Sequence, residues 1–155
     1  MARKPAAPPT AALAAKAAAS REMKRQHNLK LDALQRAIIN SASFASITTD
    51  EQGLIRIFNV GAERMLGYAA AEVLDTFTLV DFADPDQLKT RAAVVSQALA
   101  VDIRPGFDAL VSNAARGVED SYELGCIRKD GSPFPAVFSV TALRNPRAAI
   151  IGYLL

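Results

Sequence analysis

The sequence predicts an α+β domain: a five-stranded antiparallel sheet with short helices on one face and an N-terminal cap helix. Three observations carry this. Two β-rich runs, Phe44–Thr49 and Leu54–Phe58, flank the acidic, glycine-ended connection Asp50-Glu51-Gln52-Gly53, which is the pattern of a hairpin. The middle of the chain then places apolar residues at helical spacing. Its last third returns to strands joined by tight turns, and such turns force antiparallel pairing, while helices inserted between the second and third strands cover one sheet face.

The elements follow in chain order. Ten of the first 20 residues are Ala and three are Pro, a low-complexity composition that buries little apolar surface. Residues 1–28 are therefore expected to form a disordered basic leader, with helix propensity rising from Ala11. Leu31, Leu34, Ile38 and Ser41 fall at steps of three, four and three, which predicts an amphipathic cap helix over 29–43. So short a helix must bury its stripe on the body or on a second copy of itself. The body, 44–155, opens with the hairpin. Asn59 then stands as an N-cap before Val60–Leu66, Gly67 ends that helix, and Ala69–Leu74 gives another helical turn, with Glu72 in its last half. Asp84-Pro85 starts the longest helix of the body, ending at Leu99, with Leu88, Ala92, Val95 and Leu99 on one stripe. Phe107–Ala115 is a further helix before Gly117. Tyr122–Arg128 and Pro133–Leu143 form a second hairpin across Lys129-Asp130-Gly131-Ser132, and Ala149–Leu155 is the fifth strand. Both alternating sets of the long strand are mostly apolar, so the sheet face away from the helices is expected to be covered by the cap helix or by a partner.

Charge and composition exclude several functions. The chain carries 18 Lys+Arg and 16 Asp+Glu, but residues 1–43 hold a net +6 and residues 44–155 a net −4. A basic head on an acidic body argues against nucleic-acid binding by the folded part. Charged residues interrupt every hydrophobic run, so no membrane span is expected. One Cys, Cys126, allows no internal disulfide, and one His, His27, on a polar basic stretch, allows no multi-histidine metal site. A reducing, cytoplasmic location follows as the expectation. Asp81, Asp84 and Asp86 read as helix-start residues rather than as a cation site. Without a His in the body no Ser/His/Asp or Cys/His set can form, and no GxxxxGK[ST] loop occurs, so the chain is not expected to be an enzyme.

The order of motifs resembles a PAS sensory domain. The matching pieces are Ile38-Ile39-Asn40-Ser41, Thr49–Ile55, Phe58-Asn59 through Glu63-Arg64-Met65-Leu66-Gly67-Tyr68, Glu72-Val73-Leu74, Ile127–Pro135 and Ser139–Leu143, spanning about residues 30–155. The resemblance is to modules of bacterial sensor histidine kinases and cyclic-di-nucleotide signalling proteins. It implies a sheet and helices that often enclose a cavity, and a last strand leading to an effector. That strand is expected to be truncated at Leu155, with the effector outside this chain. Where related modules tend to carry a Trp, this chain has Leu124. The flavin photoadduct of related modules needs a reactive Cys in a helix, and 75–88 holds none, so covalent flavin photosensing is disfavoured; His-ligated haem is disfavoured because the body has no His. Cys126 reads as a small buried core residue.

The resemblance further implies an ion pair between helix and sheet, with Glu63, Arg128 and Lys129 as candidates. Leu66, Leu79, Phe82, Leu88, Leu124, Cys126 and Phe138 are candidate pocket residues, each equally readable as plain core. Leu31, Leu34 and Ile38 are the candidate dimer stripe. The functional expectation is a signal-input or relay module of two-component sensor-kinase type. It would bind a small ligand or partner, act as a homodimer, and pass a conformational change to a downstream effector or kinase; the alternative is a ligand-free dimerisation scaffold.

Overall fold

From Thr10 to Ile39 the sequence contains neither glycine nor proline and is rich in alanine, the residue with the highest helix propensity. The structure, a computed structural model, describes residues 9–39 and 43–155, and here this stretch is a single helix, α1, Pro9–Ile39. Pro9 occupies its first turn, where a missing N–H costs nothing. The disordered leader expected through residue 28 is therefore helical from Pro9, because summed propensity outweighs low complexity when no breaker intervenes. Residues 14–30 are exposed. Leu31, Leu34 and Ile38 lie on the α1 backbone, but their side chains fall outside the described residues, as does the predicted helix end at 40–42. The chain divides into two units, one through Ile39 and one from Asn40.

The second unit holds all five strands, in the order β2-β1-β5-β4-β3 and antiparallel throughout. Strands β1 (Ile47–Thr49) and β2 (Ile55–Phe58) form the first hairpin. Its turn is built by Asp50, whose Oδ1 accepts from Gln52 N and Leu54 N at 3.1 and 2.9 Å. Gly53 sits there at φ +92°, and a Cβ would lie 2.7 Å from the Phe107 ring, so both backbone and space require glycine.

Helix α2 (Val60–Leu66) starts at the Asn59 cap and stops at Gly67, which is left-handed and returns its N–H to Glu63 O. Next come α3 (Ala70–Val73) and a single 3-10 turn, Leu79–Phe82, which hydropathy spacing did not single out. Helix α4 (Pro85–Leu99) is capped by Asp84, whose carboxylate accepts from Asp86 N and Gln87 N, as the helix-start reading expects. Helix α5 is Phe107–Ala115.

Strand β3 (Asp120–Ile127) pairs along its length with Pro133–Val140 of β4 (Pro133–Arg144). Strand β5 (Ile150–Leu154) pairs with Thr141–Arg144 on one side and with β1 on the other. Phe134, Ala136, Phe138 and Val140 face the helices opposite Cys126, Leu124, Tyr122 and Asp120. The core on that face includes Ile55, Val73, Leu110, Leu124 and Val140, each essentially removed from water. The outer edge of β3 is covered by the start of α4: Gly125 N donates to Gln87 Oε1 at 2.6 Å, and Asp84 N to Gly125 O at 2.8 Å. This satisfies an edge that would otherwise invite pairing. On the opposite sheet face Ile57, Val137, Ile151 and Leu154 are exposed.

Candidate functional site

Period-two alternation decides what the centre of the sheet presents to the helices, and at Phe134, Ala136 and Phe138 it presents two rings flanking a methyl. Above them α2 ends in Met65 and Leu66, and the 3-10 turn contributes Leu79 and Phe82. Together with Cys126 they bound a cavity of about 210 Å³, which Phe44, Ala45, Ile47 and Leu155 close on the remaining side. Val137 and Ser139 also line it, although they point to the other sheet face from Ala136 and Phe138. Consecutive strand residues can share one cavity only at a strand edge. The β5 pairing of β4 reaches only Thr141, so the cavity lies beside the Pro133–Val140 half of β4.

Five of the seven predicted pocket residues, Leu66, Leu79, Phe82, Cys126 and Phe138, meet in this cavity. Leu88 and Leu124 do not. Leu88 is buried in the core on α4, and Leu124, also buried, borders a separate shallow groove with Gln87, Arg91 and Tyr122. Both lie toward α4, whereas the cavity lies toward β1 and β5. Phe134 and Ala136 were legible, because they share the Phe138 face at period two; Val137 and Ser139 were not, because alternation assigns them to the other side.

The Cys126 thiol is buried, and burial pushes its pKa up to about 11. The reactive form is the thiolate. The folded protein should therefore react with an aromatic disulfide reagent at pH 8 far more slowly than an exposed thiol, at a rate set by opening of the fold; labelling at the rate of a free cysteine would overturn this. The raised value also fixes a pH dependence. The folded state holds the proton more tightly than the unfolded state, whose ordinary value is near 9.0. The contribution is thus complete below about 9 and is lost as pH rises through about 11.

Beside the cavity, the β3–β4 turn is tied to the helices differently from the predicted pairing. Glu63 Oε1 accepts from Ala70 N at 2.6 Å. The carboxylate that meets Lys129 is that of Glu72. Glu72 is the third of the four residues of α3, within reach of the helix start, and its other oxygen also accepts from Ala69 N at 2.8 Å. The Lys129 ammonium and this N–H hold the Glu72 carboxyl below the usual carboxylate range. The resemblance favoured Glu63, but its carboxylate is taken up by Ala70 N at the start of α3, and Glu72 of α3 meets the turn instead. Both partners are about half exposed, so the pair adds little stability. Arg128 is more embedded: its Nε donates to Met65 O at 3.1 Å, its Nη1 to Ser132 Oγ at 3.2 Å, and its guanidinium stacks 4.1 Å from the Phe134 ring centre. Lys129 N donates to Leu66 O at 3.0 Å. The turn thus hangs from Met65 and Leu66, two residues of the cavity wall.

A family model for the PAS fold matches residues 33–155. The chain belongs to the PAS family. PAS domains are sensory, regulatory modules, and this one is similar to the PAS domain of a protein from Colwellia psychrerythraea (TM-score 0.57, 19% identity, 79% of this chain and 91% of that chain). It is also similar to a PAS domain from a two-component sensor histidine kinase (TM-score 0.56, 16% identity, 83% and 94%). A third similar structure is the light state of the blue-light photoreceptor Aureochrome1 LOV (TM-score 0.54, 22% identity, 71% and 76%). Identities this low establish the fold alone. No curated protein matches the chain. The cavity of this PAS domain does not fit a flavin, whose polar ring edge and phosphate need several hydrogen-bonding and cationic partners. Among the described residues that line it, Ser139 and Cys126 supply the polar side-chain atoms and none is charged. Among the described residues no helix is long and apolar enough to cross a membrane, and no His/Cys/Asp/Glu group is placed to hold a metal ion.

Proposed function

We propose that this PAS domain is the signal-input module of a bacterial, cytoplasmic sensor protein of two-component kinase type, taking a small ligand in the cavity beside β4. One observation carries the reading: Met65, Leu66 and Phe134 line the cavity, and the same residues hold Arg128 and Lys129 of the β3–β4 turn. A ligand that fits only one arrangement of these walls biases the turn and the sheet with it. The change would pass through self-association, by the Leu31–Leu34–Ile38 stripe or the outer sheet face, to an effector kinase.

A ligand-free dimerisation scaffold is the second reading, favoured by the exposed apolar side chains of Val137, Ile151 and Leu154 on the outer sheet face. Native mass spectrometry of the freshly purified chain, with an absorption spectrum of the same sample, separates the two. A dimer with retained extra mass supports the sensor. A bare dimer supports the scaffold, and a bare monomer removes self-association from both readings.

A further inference from the structure

Four of the seven phenylalanines of the chain, Phe44, Phe82, Phe134 and Phe138, line the cavity beside β4. Among the described residues no charged side chain does, and the polar lining side chains are Ser139, a hydroxyl, and Cys126, a thiol. The thiol is kept neutral by burial. The nearby cation, Arg128, lies on the Phe134 ring and already donates to Met65 O and Ser132 Oγ. An ionised group entering this space would lose its water and find no opposite charge in the wall. No buried side-chain polar atom stands without a partner among the described residues, so no side chain of the wall asks for a further donor or acceptor.

Size narrows the class further. A dry apolar cavity of about 150 Å³ accepts benzene, and sites for drug-sized ligands begin near 300 Å³. At about 210 Å³ the cavity lies between these. Phenylalanine rings on several sides favour edge-to-face and offset contacts with another ring. Resting on the sensor reading above, we infer that the ligand is a small uncharged arene of about two fused rings, its apolar body under Leu66, Leu79 and Phe82 and any single hydroxyl or carbonyl directed to Ser139.

The test uses the full chain and two probes of nearly equal shape, a monofluorinated naphthalene followed by fluorine NMR and naphthoate as the anionic competitor. The expected result is saturable broadening of the fluorine line, with naphthoate competing at least tenfold more weakly. Ala136→Phe, which fills the cavity from β4, should abolish the effect while retaining a cooperative melt; Ala136→Leu takes its place if the larger side chain prevents folding. Equal binding of naphthoate would overturn the uncharged class, and binding that survives the filled cavity would overturn the location. If fluoronaphthalene fails to bind while native mass spectrometry shows a retained polar molecule, the arene class falls and the sensor reading stands. If it fails and the chain is bare, both fall.

Discussion

Asp120→Ala is expected to destabilise the domain by about 3–5 kcal/mol, the range for removing one partner of a buried ion pair. Asp120 opens β3 and meets the Arg91 guanidinium of α4, and the two side chains are only 8% and 13% exposed. Arg91 also donates from Nε to Ala109 O of α5 at 3.3 Å and lies 3.6 Å over the Tyr122 ring. That ring stacks on Phe138 and donates its hydroxyl to Leu110 O at 2.9 Å, and its burial keeps the phenol protonated well above its ordinary range. One guanidinium therefore joins α4, α5 and β3 and reaches β4 through a ring. Without Asp120 it remains in place as a buried charge with a carbonyl and a π face for partners. Urea denaturation reads the loss as a fall in midpoint at unchanged slope. Replacing both residues by apolar ones of similar volume, Arg91→Met with Asp120→Leu, should recover most of it, because the cost lies in the orphaned charge. A single-variant loss below about 1 kcal/mol would show that Arg91 escapes to water, contrary to its burial.

None of this pair was legible in the sequence, where Arg91 and Asp120 stand 29 positions apart and each reads as a solvated charge. Local signals were legible. The Asp50–Gly53 turn, the Asn59 and Asp84 caps, and the Lys129–Ser132 turn are set by side chains within a few residues of the groups they satisfy. The inward face of β4 was legible for the same reason, since alternation is a property of the strand itself. What failed depended on where elements stop. Glu72 rather than Glu63 meets Lys129 because Ala70 N takes up the Glu63 carboxylate, and Leu88 and Leu124 miss the cavity because α4 packs on the far edge of the sheet. Val137 and Ser139 enter the cavity because β5 pairs with β4 only from Thr141 onward. In α1 the composition was read correctly and weighed wrongly: alanine argued for helix and low complexity against it, and propensity prevailed where no glycine or proline interrupts.

Asn59→Ala should cost about 2–4 kcal/mol, more than the roughly 1 kcal/mol of an ordinary helix cap. Asn59 is 2% exposed, and capping is only part of what its amide does. Oδ1 accepts from Ala62 N at 2.8 Å, which caps α2, and from Ser46 N at 2.8 Å. Nδ2 donates to Phe44 O at 2.8 Å. The segment leading into β1 is thus fastened to the first turn of α2, and Gly61 makes the approach possible, since a Cβ there would lie 2.1 Å from Phe44 O. Alanine leaves Ala62 N, Ser46 N and Phe44 O without these partners at once, and unpaired groups cost more than the bonds contributed. Asn59→Asp separates the parts: a carboxylate caps α2 and accepts from Ser46 N equally well, but it cannot donate to Phe44 O, so its cost should be a fraction of the alanine cost. Because Phe44 and Ala45 form one wall of the cavity, both variants should also weaken binding of the naphthalene probe, and the alanine variant more. Urea midpoints and faster hydrogen exchange at the Ala62 and Ser46 amides read the two effects independently. An alanine variant within about 0.5 kcal/mol of the parent, the scatter of ordinary surface substitutions, would mean that water replaces the amide at this junction and that the wall at Phe44 is held by packing alone.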